Sequence, residues 1–239
     1  MSWKESFLVI AHRGASAYEP ENTLAAFKKA IDLGADAIEL DVRRSREGIP
    51  VVLHDEDLKR VAGIEKKVSE LTVDELKKLT VFGKEPIPTL DEVLANFGNI
   101  TTIFIEVKDE GIEEKIAESI KNHKVYDSVL IISFNYSVLA KIKQLIEKVE
   151  IGLLTYKYPL PTGEALKLRA FAILPRYNII SPRTVKEVHS KGLKVYTWTL
   201  NDVPTALKVI GYGVDGIATD DPALKRAVRK QQKLTMYFG

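Results

Sequence analysis

The chain of 239 residues is close to the upper size for one hydrophobic core. Apolar residues at 45% and charged residues at 28% exclude a disordered chain, and 35 basic against 33 acidic side chains leave a net charge of only +2. That balance argues against broad nucleic-acid binding, and zero cysteines exclude disulfides, a thiol nucleophile and thiolate metal sites.

At the N-terminus, the apolar run Phe7–Ala11 is too short for a signal-peptide core and ends in His12-Arg13. No stretch approaches the roughly 18 apolar residues of a membrane span. The expectations are a cytoplasmic protein and no stable membrane insertion. Strand-like runs follow in order: Phe7–Ala11, Ala37–Val42, Val51–Leu53, Thr102–Val107, Val129–Ser133, Glu150–Leu154, Ala170–Leu174, Lys194–Trp198 and Gly216–Thr219. Between them lie helical stripes, such as Leu24, Phe27 and Ile31, then Ile112, Ile116 and Ile120, and later Leu139, Ile142 and Ile146. Thr72-x-x-Glu75 and Thr89-x-x-Glu92 read as capping boxes. Ser181-Pro182 and Asp221-Pro222 set a capping side chain before a helix-starting proline. Gly34, Gly98 and Gly192 stand where helices stop.

Strands alternating with helices predict a parallel α/β sheet with helical crossovers. About eight such units suit a (β/α)8 TIM barrel. The expected organisation is one catalytic domain over residues 1–239, with a small cap-like insertion at about 57–88 after the second βα region. That insertion is rich in charge and holds one short helical pattern, Thr72–Leu79.

Barrels and open α/β sheets place their sites at the C-terminal ends of strands. The polar residues there are His12 and Arg13, Glu39 and Asp41, His54, and Glu106 with Lys108. Glu39 and Asp41, two apart on a strand, share a face. With Glu106 they form a hard oxygen set suited to Mg²⁺ or Ca²⁺, with Mn²⁺ also accepted. The same spacing fits salt bridges to Arg43, Arg44 or Lys108, and spacing does not separate the two readings. Two histidines at neighbouring strand ends beside three carboxylates suit an acid and a base. Arg13 and Lys108 bring positive charge for a phosphate, or to neutralise the carboxylates. His123 and His189 read as solvated helix residues.

The ordered series His12-Arg13-Gly14-Ala15-Ser16, Pro20-Glu21-Asn22-Thr23, Glu39-Leu40-Asp41-Val42 and His54-Asp55 resembles the glycerophosphodiester phosphodiesterase family. So do the downstream segments Leu58-Lys59-Arg60, Glu106-Val107-Lys108, Ser133-Phe134, Thr197-Trp198-Thr199-Leu200-Asn201 and Thr219-Asp220. The resemblance implies a TIM barrel with one divalent cation on Glu39, Asp41 and Glu106. It implies His12 and His54 as the acid–base pair, and Arg13 and Lys108 at phosphate-contacting positions. Asn22 would lie near the metal or phosphate, or else cap the following helix, and Trp198 would wall the glycerol subsite. The implied partner is a small-molecule glycerophosphodiester, cleaved to glycerol 3-phosphate and an alcohol. The alternatives are a lysophospholipase D-like activity and a non-catalytic phosphate-binding barrel. Ser45-Arg46-Glu47-Gly48 departs from the family's Asp-Gly turn. Nothing in the residues sets the oligomeric state or the role of the basic and aromatic C-terminal tail.

Overall fold

Eight parallel strands close on themselves in the computed structural model, which describes residues 3–228 and 230. They are β1 (Leu8–Ala11), β2 (Ala37–Arg44), β3 (Thr102–Val107), β4 (Val129–Ser133), β5 (Glu150–Thr155), β6 (Ala172–Pro175), β7 (Lys194–Thr197) and β8 (Gly216–Thr219). Neighbours in sequence are neighbours in space, and closure comes from β8 pairing with β1, Leu8 opposite Gly216. Strands such as Val-Leu-Ile-Ile in β4 read as continuous apolar runs because both faces are buried. Outward residues, among them Ile38, Leu40, Val42, Ile103 and Ile105, pack under the helices in one large cluster. Inward residues, including Ile10, Phe104, Ile132, Leu174 and Tyr196, fill the barrel. Each buried Ile or Leu contributes roughly 1.5–3 kcal/mol.

The outer ring is α1 (Leu24–Asp32), α2 (Leu90–Phe97), α3 (Glu113–His123), α4 (Tyr136–Leu145), α5 (Thr162–Lys167), α6 (Pro182–His189) and α7 (Val203–Ile210). A further helical stretch occupies 224–228, and Asp221 Oδ1 accepts from the Ala223 amide ahead of it. Both capping boxes form, with Thr72 Oγ1 accepting from Glu75 N and Thr89 Oγ1 from Glu92 N. The sequence pattern did not mark α5, a six-residue helix with one buried residue. Gly34 and Gly192 take positive φ at helix ends. Gly98 ends α2 in right-handed geometry; its Cβ would lie 2.6 Å from Val125 Cγ1, so close packing, not a left-handed turn, calls for glycine there. The tail beyond residue 230 lies outside the described residues.

One expected strand is of a different kind. Pro50–Val52 runs antiparallel to β2, Val42 opposite Val52, and is not a barrel strand. The chain folds back from β2, and Leu53 N donates to Asp41 O at 3.0 Å, which sets His54 beside the rim. The segment 57–88 thus lies within the connection between β2 and α2. It has a small core of its own around Leu58, Val61, Leu76, Val81 and Ile87.

Gly14 follows β1 with φ +81°, and a Cβ there would lie 2.7 Å from Ala26 backbone carbon in α1. Gly34 has φ +86° but nothing within 4 Å of its Cβ position. Gly34→Ala is expected to cost about 1–2 kcal/mol for the left-handed backbone. Gly14→Ala adds an overpacking cost of about 1–3 kcal/mol, because helix backbone cannot swing aside as a side chain can. Thermal unfolding of the two variants checks the order; equal losses would overturn the packing account.

Candidate active site

Strand alternation delivers the site. Inward-pointing Ile10, Ala218, Ile132 and Tyr196 are followed two residues later by His12, Asp220, Phe134 and Trp198 at the rim. On β2 the same face carries Glu39 and then Asp41, and Asp41 is directly opposite Glu106 on β3. All three carboxylates are buried, and each offers one oxygen lying within 4.8 Å of the others.

Two cations already stand against this set. Lys108 Nζ lies 2.9 Å from Asp41 Oδ1 and 2.5 Å from Glu106 Oε1. Arg13 Nε lies 3.3 Å from Asp41 Oδ2, and the Arg13 amide donates to Glu39 Oε2 at 2.9 Å. Arg43, by contrast, pairs with Asp109 at 2.6 Å. Asn22 is buried and holds Asp41 twice, its Nδ2 donating to Oδ2 at 2.8 Å and its Oδ1 accepting from the Asp41 amide at 3.2 Å. The cap of α1 belongs to Thr23 instead, whose Oγ1 accepts from the Ala26 amide. Arg13 and Asn22 both adopt positive φ, 56° and 59°, a strain of about 1–3 kcal/mol each. The Asn22 amide donates to Arg13 O at 2.9 Å, so the two strained residues brace one another beneath Asp41.

Charge in the set is incomplete. Three carboxylates face two fixed cations, and burial beside Asp41 pushes Glu39 up to about 8. Burial likewise raises Glu106, with Asp41 adding to it. Burial alone would raise Asp41 as well, but Lys108, Arg13 and His54 hold it well below the usual carboxylate range. Glu39 is therefore the carboxylate that the two fixed cations leave least compensated. A divalent cation fits this all-oxygen donor set on both counts, ligand chemistry and charge.

Both candidate acid–base histidines are anchored through Nδ1. His12 Nδ1 meets Asp220 Oδ1 at 2.7 Å, and His54 Nδ1 meets Asp55 Oδ1 at 2.7 Å. Neither Nε2 has a hydrogen-bond partner among the described residues, and both rings line the same cavity of about 260 Å³. Asp220 also accepts from Ser16 Oγ and Asn201 Nδ2. Neither carboxylate was singled out from the sequence. Ala218 on the inward face signalled Asp220 through the same two-residue step that marks His12. His123 and His189 lie away from this cavity and pair with Asp91 and Asp215.

The opposite wall of the cavity is apolar: Phe104, Ile132, Leu154 and Leu174, with Phe134 and Trp198 at the rim. Trp198 Nε1 donates to Leu174 O at 2.9 Å, and its ring meets Phe134 edge-on at 5.7 Å. None of the lining residues comes from 57–88. Among the described residues, no helix is long and apolar enough to cross a membrane.

The chain is similar to known proteins along most of its length. The model of the glycerophosphoryl diester phosphodiesterase family matches residues 12–224. A glycerophosphodiester phosphodiesterase of Caldanaerobacter subterraneus subsp. tengcongensis is 41% identical, over 93% of this chain and 98% of the relative. A phosphodiesterase of Oleispira antarctica, solved in complex with the product sn-glycerol-3-phosphate, superposes with a TM-score of 0.87 at 31% identity, covering 96% of this chain and 100% of that one. A glycerophosphodiester phosphodiesterase of Thermotoga maritima gives 0.82 at 33%, over 94% and 99%. With a family model spanning His12 to the last helix and full-length relatives on the same barrel, this chain belongs to the glycerophosphoryl diester phosphodiesterase family.

Proposed function

We propose that this chain hydrolyses glycerophosphodiesters to glycerol 3-phosphate and an alcohol, with one divalent cation, Mg²⁺, Ca²⁺ or Mn²⁺, held by Glu39, Asp41 and Glu106. The catalytic unit is the barrel, with 57–88 as a small accessory insertion. The observation that carries the reading is the pair of anchored imidazoles that line one cavity with Glu39 and Glu106, the two carboxylates that flank buried Asp41. Once bound, the cation supplies charge stabilisation for the phosphoryl oxygens.

The residues of this chain do the rest. Burial and the nearby Lys108 and Arg13 charges hold His54 below the ordinary imidazole value, despite Asp41 and Asp55, so it is the neutral base. Burial would also lower His12, but its bond to Asp220 overcomes this and raises it, so it is the acid. His54 Nε2 takes the proton of the glycerol 2-hydroxyl, whose oxygen attacks phosphorus and closes a five-membered cyclic phosphate. The P–O bond to the alcohol breaks as His12 Nε2–H protonates that oxygen. Water then opens the ring, giving its proton to His12 while His54 returns one to the 2-oxygen. Arg13 and Lys108 exchange part of their carboxylate contact for the equatorial phosphoryl oxygens. Asn22 keeps Asp41 aimed at the cation, and Trp198 with Phe134 walls the glycerol.

The apolar wall supports a second reading, hydrolysis of lysophospholipids, since an acyl chain needs an apolar groove. A coupled glycerol 3-phosphate assay over several headgroups, beside a choline-release assay on lysophosphatidylcholine, each with chelator and ion add-back, separates the readings. Release from glycerophosphocholine that stops with chelator and returns with the ion is expected. Choline release from the lyso form alone would favour the second reading. Binding without turnover under Mg²⁺, Mn²⁺ and Ca²⁺ would leave a phosphate-binding barrel.

A further inference from the structure

Arg60 stands on the short helix Lys59–Ala62 of the insertion, outside the barrel. Its side chain is 43% exposed, yet all three guanidinium nitrogens are engaged. Nη2 donates to Glu21 Oε1 at 2.7 Å and Nη1 to Glu21 Oε2 at 2.9 Å, while Nε donates to Asp55 Oδ2 at 2.6 Å. Each of those carboxylates holds a residue of the site. Glu21 Oε1 accepts from Arg13 Nη1 at 3.0 Å, and Asp55 Oδ1 meets His54 Nδ1 at 2.7 Å. On its other side the guanidinium lies 5.7 Å from the Phe82 ring, also in the insertion.

We propose that Arg60 is a positioning residue, a single planar fork that fixes the His54 imidazole and the Arg13 guanidinium relative to each other. The claim rests on the reading of His54 as base and Arg13 as phosphate contact. Five donors in a rigid plane grip two carboxylates at set angles, which an ammonium on a flexible stem does not do. Without the fork, Asp55 and Glu21 are free to change rotamer, and the two site residues lose their common reference. The insertion then governs the reaction through one side chain while contributing nothing to the cavity wall.

A staple that only ties the insertion to the barrel predicts something different: lower thermal stability with kcat and KM intact. The test compares Arg60→Ala, Arg60→Lys, Asp55→Asn and the double variant Asp55→Asn/Arg60→Ala, with Lys59→Ala as the neighbouring control. Lys59 pairs with Glu65 at the surface and touches nothing in the site. Both Arg60 variants are expected to lose about 10–100-fold in kcat, with KM for the diester raised. The double variant should lose no more than the worse of its two parents, and Lys59→Ala should match the wild type. Alongside, ¹⁵N-resolved NMR of the His54 ring should show the Nδ1 proton exchanging faster in Arg60→Ala. Full kcat in both Arg60 variants, additive losses, or an unchanged His54 signal would overturn the proposal. The spectrum needs no turnover, so an inactive wild type would refute the hydrolase reading and still leave the positioning claim decided.

Discussion

Replacing His54 or His12 by alanine is expected to lower kcat by roughly 10²–10⁴-fold while leaving affinity for the divalent ion near that of the wild type. Neither imidazole belongs to the acidic triad, so ion binding does not depend on them, whereas both proton transfers do. The pH profile carries the assignment further. His54 must be neutral to accept a proton, so kcat/KM climbs as pH rises through its lowered value. His12 must be charged to donate, so kcat/KM falls as pH rises through its raised value. Asp220→Asn removes the anionic partner that lifts His12, so the alkaline limb should move to lower pH with the acid limb in place. The measurement is kcat/KM against pH for wild type and variant, with calorimetric ion binding for each alanine replacement. Near-normal turnover in His12→Ala or His54→Ala would remove the paired-histidine account.

Most of the site was legible because strand geometry repeats every two residues and chain order matches space. Glu39, Asp41, Glu106 and His12 sit at strand ends that apolar runs announce plainly. His54 was found for an incomplete reason. An apolar triplet looks the same whether its strand runs parallel or antiparallel, and only pairing with β2 shows that it folds back. The anchoring carboxylates were harder to see. Asp220 is 208 residues from His12, and no local pattern links an acid after the last strand to an imidazole after the first. Asp55 is adjacent to His54, and adjacency in sequence says nothing about which acid orients a ring. Arg60 lay in a stretch dense with charge, where its tie to Glu21 across 39 residues has no periodic signature. Packing periods are written into the sequence; polar contacts between distant loops are written only into the fold.

Glu39→Gln is expected to reduce activity by at least about 10³-fold through loss of the divalent ion, yet leave the ion-free protein folded and at alkaline pH more stable. The reason lies in the proton that Glu39 holds. Its value is raised from 4.5 to about 8 by burial and by Asp41, so between those limits the folded chain binds more protons than the unfolded one. Stability of the ion-free protein therefore falls as pH rises through that window, and is fully retained below it. Glutamine mimics the protonated acid in shape and keeps an oxygen for the Arg13 amide, so the variant should escape the decline. A bound ion and the proton compete for the same carboxylate, so ion affinity in the wild type should strengthen with pH across the window. In Glu39→Gln that dependence should flatten and the affinity drop. Thermal unfolding from pH 5 to pH 9 with and without chelator, paired with calorimetric ion titration, reads both effects. A chelated wild type as stable at the alkaline end as at the acid end would remove the buried proton, and a Glu39→Gln variant that binds the ion as tightly as its parent would remove Glu39 from the ligand set. Asp41→Asn behaves differently, because Asp41 is ionised in both ion-bound and ion-free protein and partners Lys108, Arg13 and Asn22. Its loss should destabilise even the chelated protein, by about 1–3 kcal/mol, since two half-buried cations then lose their shared acceptor.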